Sequence, residues 1–429
     1  MDTPLFQPIP GMADLAAPEV FLWQHLEEQA RRILPLYGFS EIRTPALEYT
    51  PVFTRALGET TDVVQKEMYT FADRGGRSLT LRPEGTAGVI RYAAGQGAAA
   101  DGARLYYVGP MFRCERPQAG RKRQFHQLGV EAFGEPNPAA DVEVIALQQQ
   151  LFQSWGLRDF TIDVNTRGLP EDRPAVAQGL ADAVRPHLGA LCEDCRRRFD
   201  TNILRLLDCK QETCQHVVGA LPDMTTFMSP PSRAYLDEVV RLLQQLNLPA
   251  RVNPRLVRGL DYYIHTVWEI RHPALGAQDA LAGGGRYRIT LGEKHFDGVG
   301  FAAGLERTVM AVRHDQPDRL AAVQPAAPVW LVALGAAARD ANLQFAQELR
   351  QRNCACGLDL GDRSMKAQMR AANRAGAAWA VIRGDRELAA GTAALKNLKD
   401  GQQTELKLED VVAKLLTAQN GAPMAPAPG

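Results

Sequence analysis

The sequence predicts an α+β chain of two to three domains: a sheet-and-helix body, a helical segment set into it, and a small α/β unit towards the C-terminal end. Three observations carry this reading. Tyr107 to Gly134 reads as two strands joined by a charged, flexible loop, Pro117 to Arg123, whose Pro and Gly mark turns. Residues 167–250 change character: they are helical, rich in Arg and Leu, and hold a cysteine cluster. After a polar, then Ala/Pro-rich linker at 314–328, strands and helices alternate from Val329 onward. The length of 429 residues fits that division.

Bulk composition excludes several classes. At 45% hydrophobic and 23% charged residues the chain is an ordinary globular sequence. Formal net charge is zero, so charge does not announce a nucleic-acid partner, although a local basic face stays open. No apolar run reaches the roughly 18 residues of a membrane helix. The N-terminus, MDTPLFQPIPGMADL, lacks the basic and apolar regions of a signal peptide. Seven cysteines, four of them clustered, fit a reducing cytoplasm better than a disulfide framework.

Residues 1–17 read as extended and Pro-rich. A helix follows over 18–36, because Val20, Leu22, Trp23, Leu26, Ala30, Ile33 and Leu34 recur at helical spacing. Gly38 stops it, and Phe39 to Pro45 is a strand. Ser78 to Arg82 is another, followed by the turn Pro83-Glu84-Gly85-Thr86, where Thr86 would cap the next helix. Glu84 in that turn either holds an ammonium group or sits at the helix start, where the dipole favours a carboxylate. The hairpin carries Arg113, Arg116, Arg121 and Arg123 with Glu115 and Glu131, a mixture suited to a ligand with a phosphate at one end and a hydrogen-bonding or cationic group at the other. An ordinary solvated hairpin is the alternative.

Asp141 to Trp155 is a helix and Phe160 to Asn165 a strand. Leu256 to Ile270 contains RGLDYY, which opens a strand. Its aromatic pair would be plain core but for the neighbouring Arg and Asp, which suggest a mixed pocket. AGGGRY, residues 282–287, brings backbone close to a ligand or another strand. Val299 to Arg307 ends a strand and starts a helix. In the C-terminal unit the strands are 329–334, 356–360, 378–383 and 392–398, and the helices 340–353, 364–375 and 408–418. No Walker-type or Rossmann-type phosphate loop occurs there.

The hairpin sequence FRCERPQAGRKRQFHQ resembles motif 2 of class II aminoacyl-tRNA synthetases in the form used by histidyl-tRNA synthetases. LRPEGT, RQFHQLGVEAFG and RGLDYY are similar to the same family, GFAAGLER resembles motif 3, and the helix–strand–Pro unit resembles motif 1, the dimer interface. The motifs appear in the family's order over about 20 to 420. The resemblance implies an α+β catalytic domain (1–320), an antiparallel sheet flanked by helices. It also implies a helical insertion (167–250) near the tRNA acceptor arm and an α/β anticodon-binding domain (327–420); residues 421–429 read from their composition as a disordered tail. It implies ATP-dependent ligation of L-histidine to its tRNA through a histidyl-adenylate, with Mg²⁺, by a cytoplasmic homodimer with no membrane association.

Residue by residue, the resemblance places Arg113 on the α-phosphate. Arg258 becomes a second catalytic cation, near the carboxylate and α-phosphate. Arg307 falls on the γ-phosphate, and Glu115 beside ATP. Arginine suits these places because its planar fork pairs with phosphate oxygens and stays charged. Glu84, Thr86 and Gln127 would hold the amino group, with Gly85, Arg113, Arg258 and Tyr262 completing the histidine pocket. Glu131 and the Tyr263 hydroxyl would pair with the two imidazole nitrogens. Gln118, Arg121 and Arg123 would meet the acceptor end. Arg288, Lys122 and Cys114 depart from the family pattern. A non-catalytic paralogue that regulates histidine biosynthesis or senses tRNA is the rival reading, but such relatives tend to lose the catalytic residues that are present here.

In the helical segment, Cys192-x2-Cys195 and Cys209-x4-Cys214 lie 13 residues apart. Two close pairs of soft ligands suit tetrahedral structural zinc, with His216 as a substitute ligand. Four reduced, packed cysteines are the alternative. Arg196, Arg197 and Arg198 either contact phosphates or form a solvated face.

Overall fold

The structure, a computed structural model, describes residues 6–58, 61–97, 102–325 and 327–420. The tail at 421–429, expected to be disordered, lies outside them. The chain divides into two compact units, Met1–Val323 and Gln324–Gly429.

The first unit is built on an eight-stranded sheet. From one edge its strands are Ser40–Glu41, Arg104–Phe112, Gln124–Phe133, Lys294–Gly304, Ala280–Leu291, Tyr263–Arg271, Thr161–Thr166 and Ala250–Val252. The two edge pairings are parallel. All pairings between them are antiparallel. A three-stranded sheet, Leu47–Tyr49, Ser78–Leu81 and Tyr69–Ala72, stands beside it.

Alternation along the strands sorts the two faces of the large sheet. Leu128, Val130 and Ala132 face one core, with Trp268, Ile270 and Phe301. Helices Glu19–Ile33, Pro138–Ser154, Pro230–Gln245 and Leu305–Asp315 cover that face, supplying Leu22, Leu26, Ile145, Leu151, Val239 and Val309. Gln127, Gly129 and Glu131 therefore point the other way, towards a second cluster with Tyr107, Met111, Tyr263 and Tyr287. That second face is half core and half polar, and it carries the site.

Several local expectations shift. Helix Glu19–Ile33 continues as a 3-10 turn, Leu34–Tyr37, and ends where Gly38 takes φ 77°, a conformation open to Gly. The strand expected over Phe39 to Pro45 is only Ser40–Glu41. Thr44 has left the ladder because its carbonyl and hydroxyl accept from Arg82 Nη1, at 2.8 and 3.2 Å. Thr86 does not cap its helix: Glu84 does, accepting from the amides of Thr86 and Ala87 at 2.8 Å each.

Residues 176–228 have their own small core, centred on Val176, Leu180, Leu206, Val217 and Met224. Helix Pro230–Gln245 instead packs Leu236, Val239 and Leu243 on the main core. The second unit is a five-stranded sheet in the order Cys356–Leu358, Val329–Ala333, Trp379–Arg383, Thr392–Asn397 and Gln403–Lys407. The first three strands are parallel and the last two pairings antiparallel. The edge strand Gln403–Lys407 is largely exposed, so it carries no burial alternation in sequence. No described helix is long and apolar enough to cross a membrane.

Candidate active site

A cavity of ≈ 860 Å³ opens on the polar face of the large sheet. Its walls include Glu84, Thr86, Arg113, Glu115, Arg121, Gln127, Glu131, Arg258, Tyr262, Tyr263 and Arg307. Residues scattered from position 84 to 307 thus meet on one surface. Gln118 and Arg123 do not line it. Gln118 exchanges backbone hydrogen bonds with Arg121, at 2.9 and 3.0 Å, closing the hairpin turn. Arg123 donates to the Glu115 carbonyl at 3.1 Å. Gly85 lies under the floor: a Cβ there would stand 2.2 Å from the Tyr107 ring.

The floor is a buried polar cluster. Thr86 donates to Glu131 Oε1 at 2.7 Å. Glu131 Oε2, Gln127 Oε1 and the hydroxyls of Tyr107 and Tyr287 are buried without a well-formed hydrogen bond among the described residues, with Tyr287 beside the Glu131 carboxyl and Tyr107 beside Thr86. Such atoms are costly to leave unpaired, so the cluster reads as one that awaits a polar ligand. Burial drives the Glu131 carboxyl up to about 8, with the nearby Glu84 charge adding to it. Glu131 is therefore mostly a neutral acid at pH 7. Burial also raises Glu84, against the two amides that favour its charged form.

Sequence reasoning missed Tyr107 and Tyr287. Tyr107 fits because Gly85 and Gly129 leave room: a Cβ on Gly129 would come within 2.3 Å of its hydroxyl. Tyr287 fits because Gly298 does the same, at 2.5 Å. Glycines in paired strands opposite an inward tyrosine are the signal that could have found both. Tyr263, expected to share the pocket with Glu131, lines the same cavity; its ring lies against Tyr262, centroids 4.7 Å apart, and beside Arg258.

The cations form the upper wall. Arg113 Nε donates to the Pro83 carbonyl at 2.9 Å, its guanidinium lies 5.3 Å over the Phe125 ring, and Glu115 is 3.9 Å away. Arg258 Nη1 donates to Glu269 at 2.9 Å, while its buried Nε has no partner among the described residues. The guanidinium rests on Gly283, where a Cβ would stand 2.2 Å from its central carbon. The glycine run thus makes room for a side chain of this same chain. Arg307 donates to the carbonyls of Gly120 and Ala280 at 3.0 and 2.7 Å, tying the hairpin turn to the motif-3 helix. Glu306 beside it accepts from the His126 amide, at 2.9 Å to its nearer oxygen.

Arg288, the departure noted in sequence, makes a cross-strand pair with Asp297 at 2.7 and 2.9 Å, outside the cavity. Its neighbour Arg286 is buried on Asp141, 2.6 Å away, and on backbone carbonyls. In the insertion, the four sulfurs of Cys192, Cys195, Cys209 and Cys214 lie within 4.8 Å of one another.

The family model for histidyl-tRNA synthetase matches residues 11–308, and that for an anticodon binding domain matches 329–418. A histidine–tRNA ligase of Halothermothrix orenii is 44% identical over 415 residues, covering 94% of this chain and 97% of that protein. One from a Synechococcus species is 44% identical over 419 residues, covering 96% and 99%. Among solved structures, apo histidyl-tRNA synthetase of S. aureus aligns with a TM-score of 0.77 at 32% identity, covering 96% of this chain and 100% of that one.

Proposed function

The chain belongs to the histidyl-tRNA synthetase family of class II aminoacyl-tRNA synthetases, and from that premise we propose that it ligates L-histidine to its tRNA in two steps. In the first, a histidine carboxylate oxygen attacks the α-phosphorus of ATP and pyrophosphate leaves, giving histidyl-adenylate. In the second, the 3′-terminal ribose hydroxyl of the tRNA attacks the acyl carbon and AMP leaves. The enzyme acts as a cytoplasmic homodimer. The small sheet leaves Leu47, Tyr49 and Phe71 exposed, which fits a covered face.

The observation that supports this best is the pairing of two unlike walls. Arg113 and Arg258 are cations where an anionic carboxylate must meet an anionic phosphate, so they offset that repulsion. Below them, Glu131 and the Tyr287 hydroxyl, both on the cavity wall, suit a small heteroaromatic ring with two nitrogens. A neutral acid facing an imidazole leaves one proton between two groups that both bind it, whichever holds it at a given moment. Glu84, Thr86 and Gln127 suit the ammonium group. Arg307 suits the γ-phosphate once ATP competes with the carbonyls it now contacts.

Magnesium would arrive with the nucleotide and neutralise phosphate charge. Glu67 and Glu115, oxygen donors on the cavity wall beside Arg113, suit it. The paralogue reading is not favoured, because the three arginines, the acidic pocket floor and the C-terminal unit are all present. Histidine-dependent ATP–pyrophosphate exchange without tRNA tests the proposal. Exchange with histidine and with no other amino acid is expected. Its absence from folded protein would turn the reading towards a tRNA-binding or regulatory paralogue.

A further inference from the structure

We propose that the insertion is held together by a tetrahedral zinc ion bound to the sulfurs of Cys192, Cys195, Cys209 and Cys214.

Cys192 is the residue before helix Glu193–Thr201, and Cys195 lies in its first turn. Cys209 follows the 3-10 turn Ile203–Leu206, and Cys214 lies in the first turn of helix Glu212–Ala220. Two local knuckles, separated by 13 residues, thus turn their sulfurs towards one point. All four sulfurs fall within 4.8 Å of one another, and Cys192 and Cys209 are 3.9 Å apart. Zinc–sulfur bonds of about 2.3 Å in a tetrahedron place sulfurs roughly 3.8 Å from each other, so only a small contraction is needed. None of the seven cysteines is in a disulfide. The Cys192 amide donates to Cys214 Sγ at 3.2 Å, which orients that sulfur towards the other three.

The energetics of the segment supply the reason. Its hydrophobic cluster runs only from Val176 to Met228, and three of the four cysteines belong to it. A core of this size is marginal alone, and such segments are commonly stapled by a metal. Packed thiols would satisfy the apolar requirement anywhere in the cluster; they would have no cause to converge. A four-thiolate ligand set leaves no open position, so the ion is structural. Its consequence reaches the site: Cys192 and Cys209 line the large cavity, and Arg205, between the two pairs, donates to Asp62 and to the Gly259 carbonyl, each at 3.3 Å. The ion would thus fix one wall of the cavity.

The test uses the full-length chain, purified without chelator, with metal measured by mass spectrometry and thiols counted under native conditions. About one zinc per chain is expected, with the four thiols protected until the metal is removed. Cobalt exchanged into the site should show the ligand-field and thiolate charge-transfer bands of a tetrahedral four-sulfur centre. Cys209→Ser should lose most of the metal, whereas Cys356→Ser, in the C-terminal unit, should keep all of it. Because Cys209→Ser could unfold the insertion for other reasons, the cobalt spectrum and thiol protection of the unaltered chain decide the matter. Absence of stoichiometric metal with four rapidly reacting thiols would overturn the proposal. So would a mass two daltons low for a disulfide within the cluster, or equal metal loss from Cys356→Ser.

Discussion

Glu131→Gln should separate stability from function. In the folded chain the Glu131 carboxyl is driven by burial to about 8, against about 4.5 when exposed. Below pH 4.5 it is protonated in both states and costs nothing. As pH rises from 4.5 to 8 the unfolded chain ionises and gains, while the folded chain holds the proton, so stability is progressively lost across that window. At 1.36 kcal/mol per unit the loss is about 3 kcal/mol by pH 6.5 and on the order of 5 kcal/mol by pH 8. Glutamine keeps an oxygen for Thr86 and removes the titration. The variant's melting temperature, relative to the unaltered chain, should therefore climb between pH 5 and pH 8. At roughly 2–4 °C per kcal/mol for a unit of this size, the climb is several degrees or more. Fixed costs of the substitution cancel in that comparison. Pyrophosphate exchange on the same samples should show the histidine KM raised about 100-fold or more, because a buried proton-sharing contact is replaced by a mismatched one. A melting difference that stays flat with pH would mean that Glu131 ionises normally in the fold. An unchanged KM would remove it from the pocket.

Arg258→Ala should lower exchange by about 10²–10⁴-fold while circular dichroism stays native, since Glu269 keeps Arg271 at 3.0 Å. Near-normal exchange would end its assigned role. Gly283→Ala attacks the same cation indirectly: a methyl 2.2 Å from the guanidinium carbon must push it aside. Exchange should fall about 100-fold, with kcat hit harder than the histidine KM; wild-type kinetics would show that the contact is not needed. Arg286→Met leaves Asp141 buried without its guanidinium, so urea unfolding should register a loss of about 3–5 kcal/mol. A change under 1 kcal/mol would contradict the burial of that pair. Arg288→Ala, at a half-exposed cross-strand pair, should cost less than about 1 kcal/mol and leave exchange intact.

What the sequence made legible follows from which signals are local. The stripe of Leu22, Leu26 and Ile33 and the alternation of Leu128, Val130 and Ala132 are periodic within one element, so the element and its buried face could be read together. Many of the residues that meet in the cavity could be named from contiguous strings, LRPEGT and RGLDYY among them. Partners across strands were not. Tyr107 and Tyr287 look like core tyrosines until the register sets Gly129 and Gly298 opposite them. Nor could Thr86 be seen to bond Glu131, 45 residues away, rather than cap its own helix. The edge strand Gln403–Lys407 was invisible for another reason: a largely exposed strand has no burial pattern to display.

The misses in the pocket share a cause with the chemistry. On the proposed function, a pocket that recognises two ring nitrogens cannot satisfy its own polar atoms first, because saturated groups have nothing left for the ligand. The hydroxyls of Tyr107 and Tyr287, Gln127 Oε1 and Glu131 Oε2 are left open together, on one face of the sheet, within a stable frame of apolar residues on the other. Local rules for strands expect every buried polar group to be paired, so they break down where the pairing partner is a ligand. The same logic fixes where stabilising substitutions would act. Removing one of these open polar groups relieves a desolvation cost of about 1–3 kcal/mol. Tyr287→Phe should therefore melt no lower than the unaltered chain and yet bind histidine more weakly. Lower stability with unchanged histidine KM would mean that the hydroxyl is satisfied within the fold, and that the pocket is not held open for a ligand.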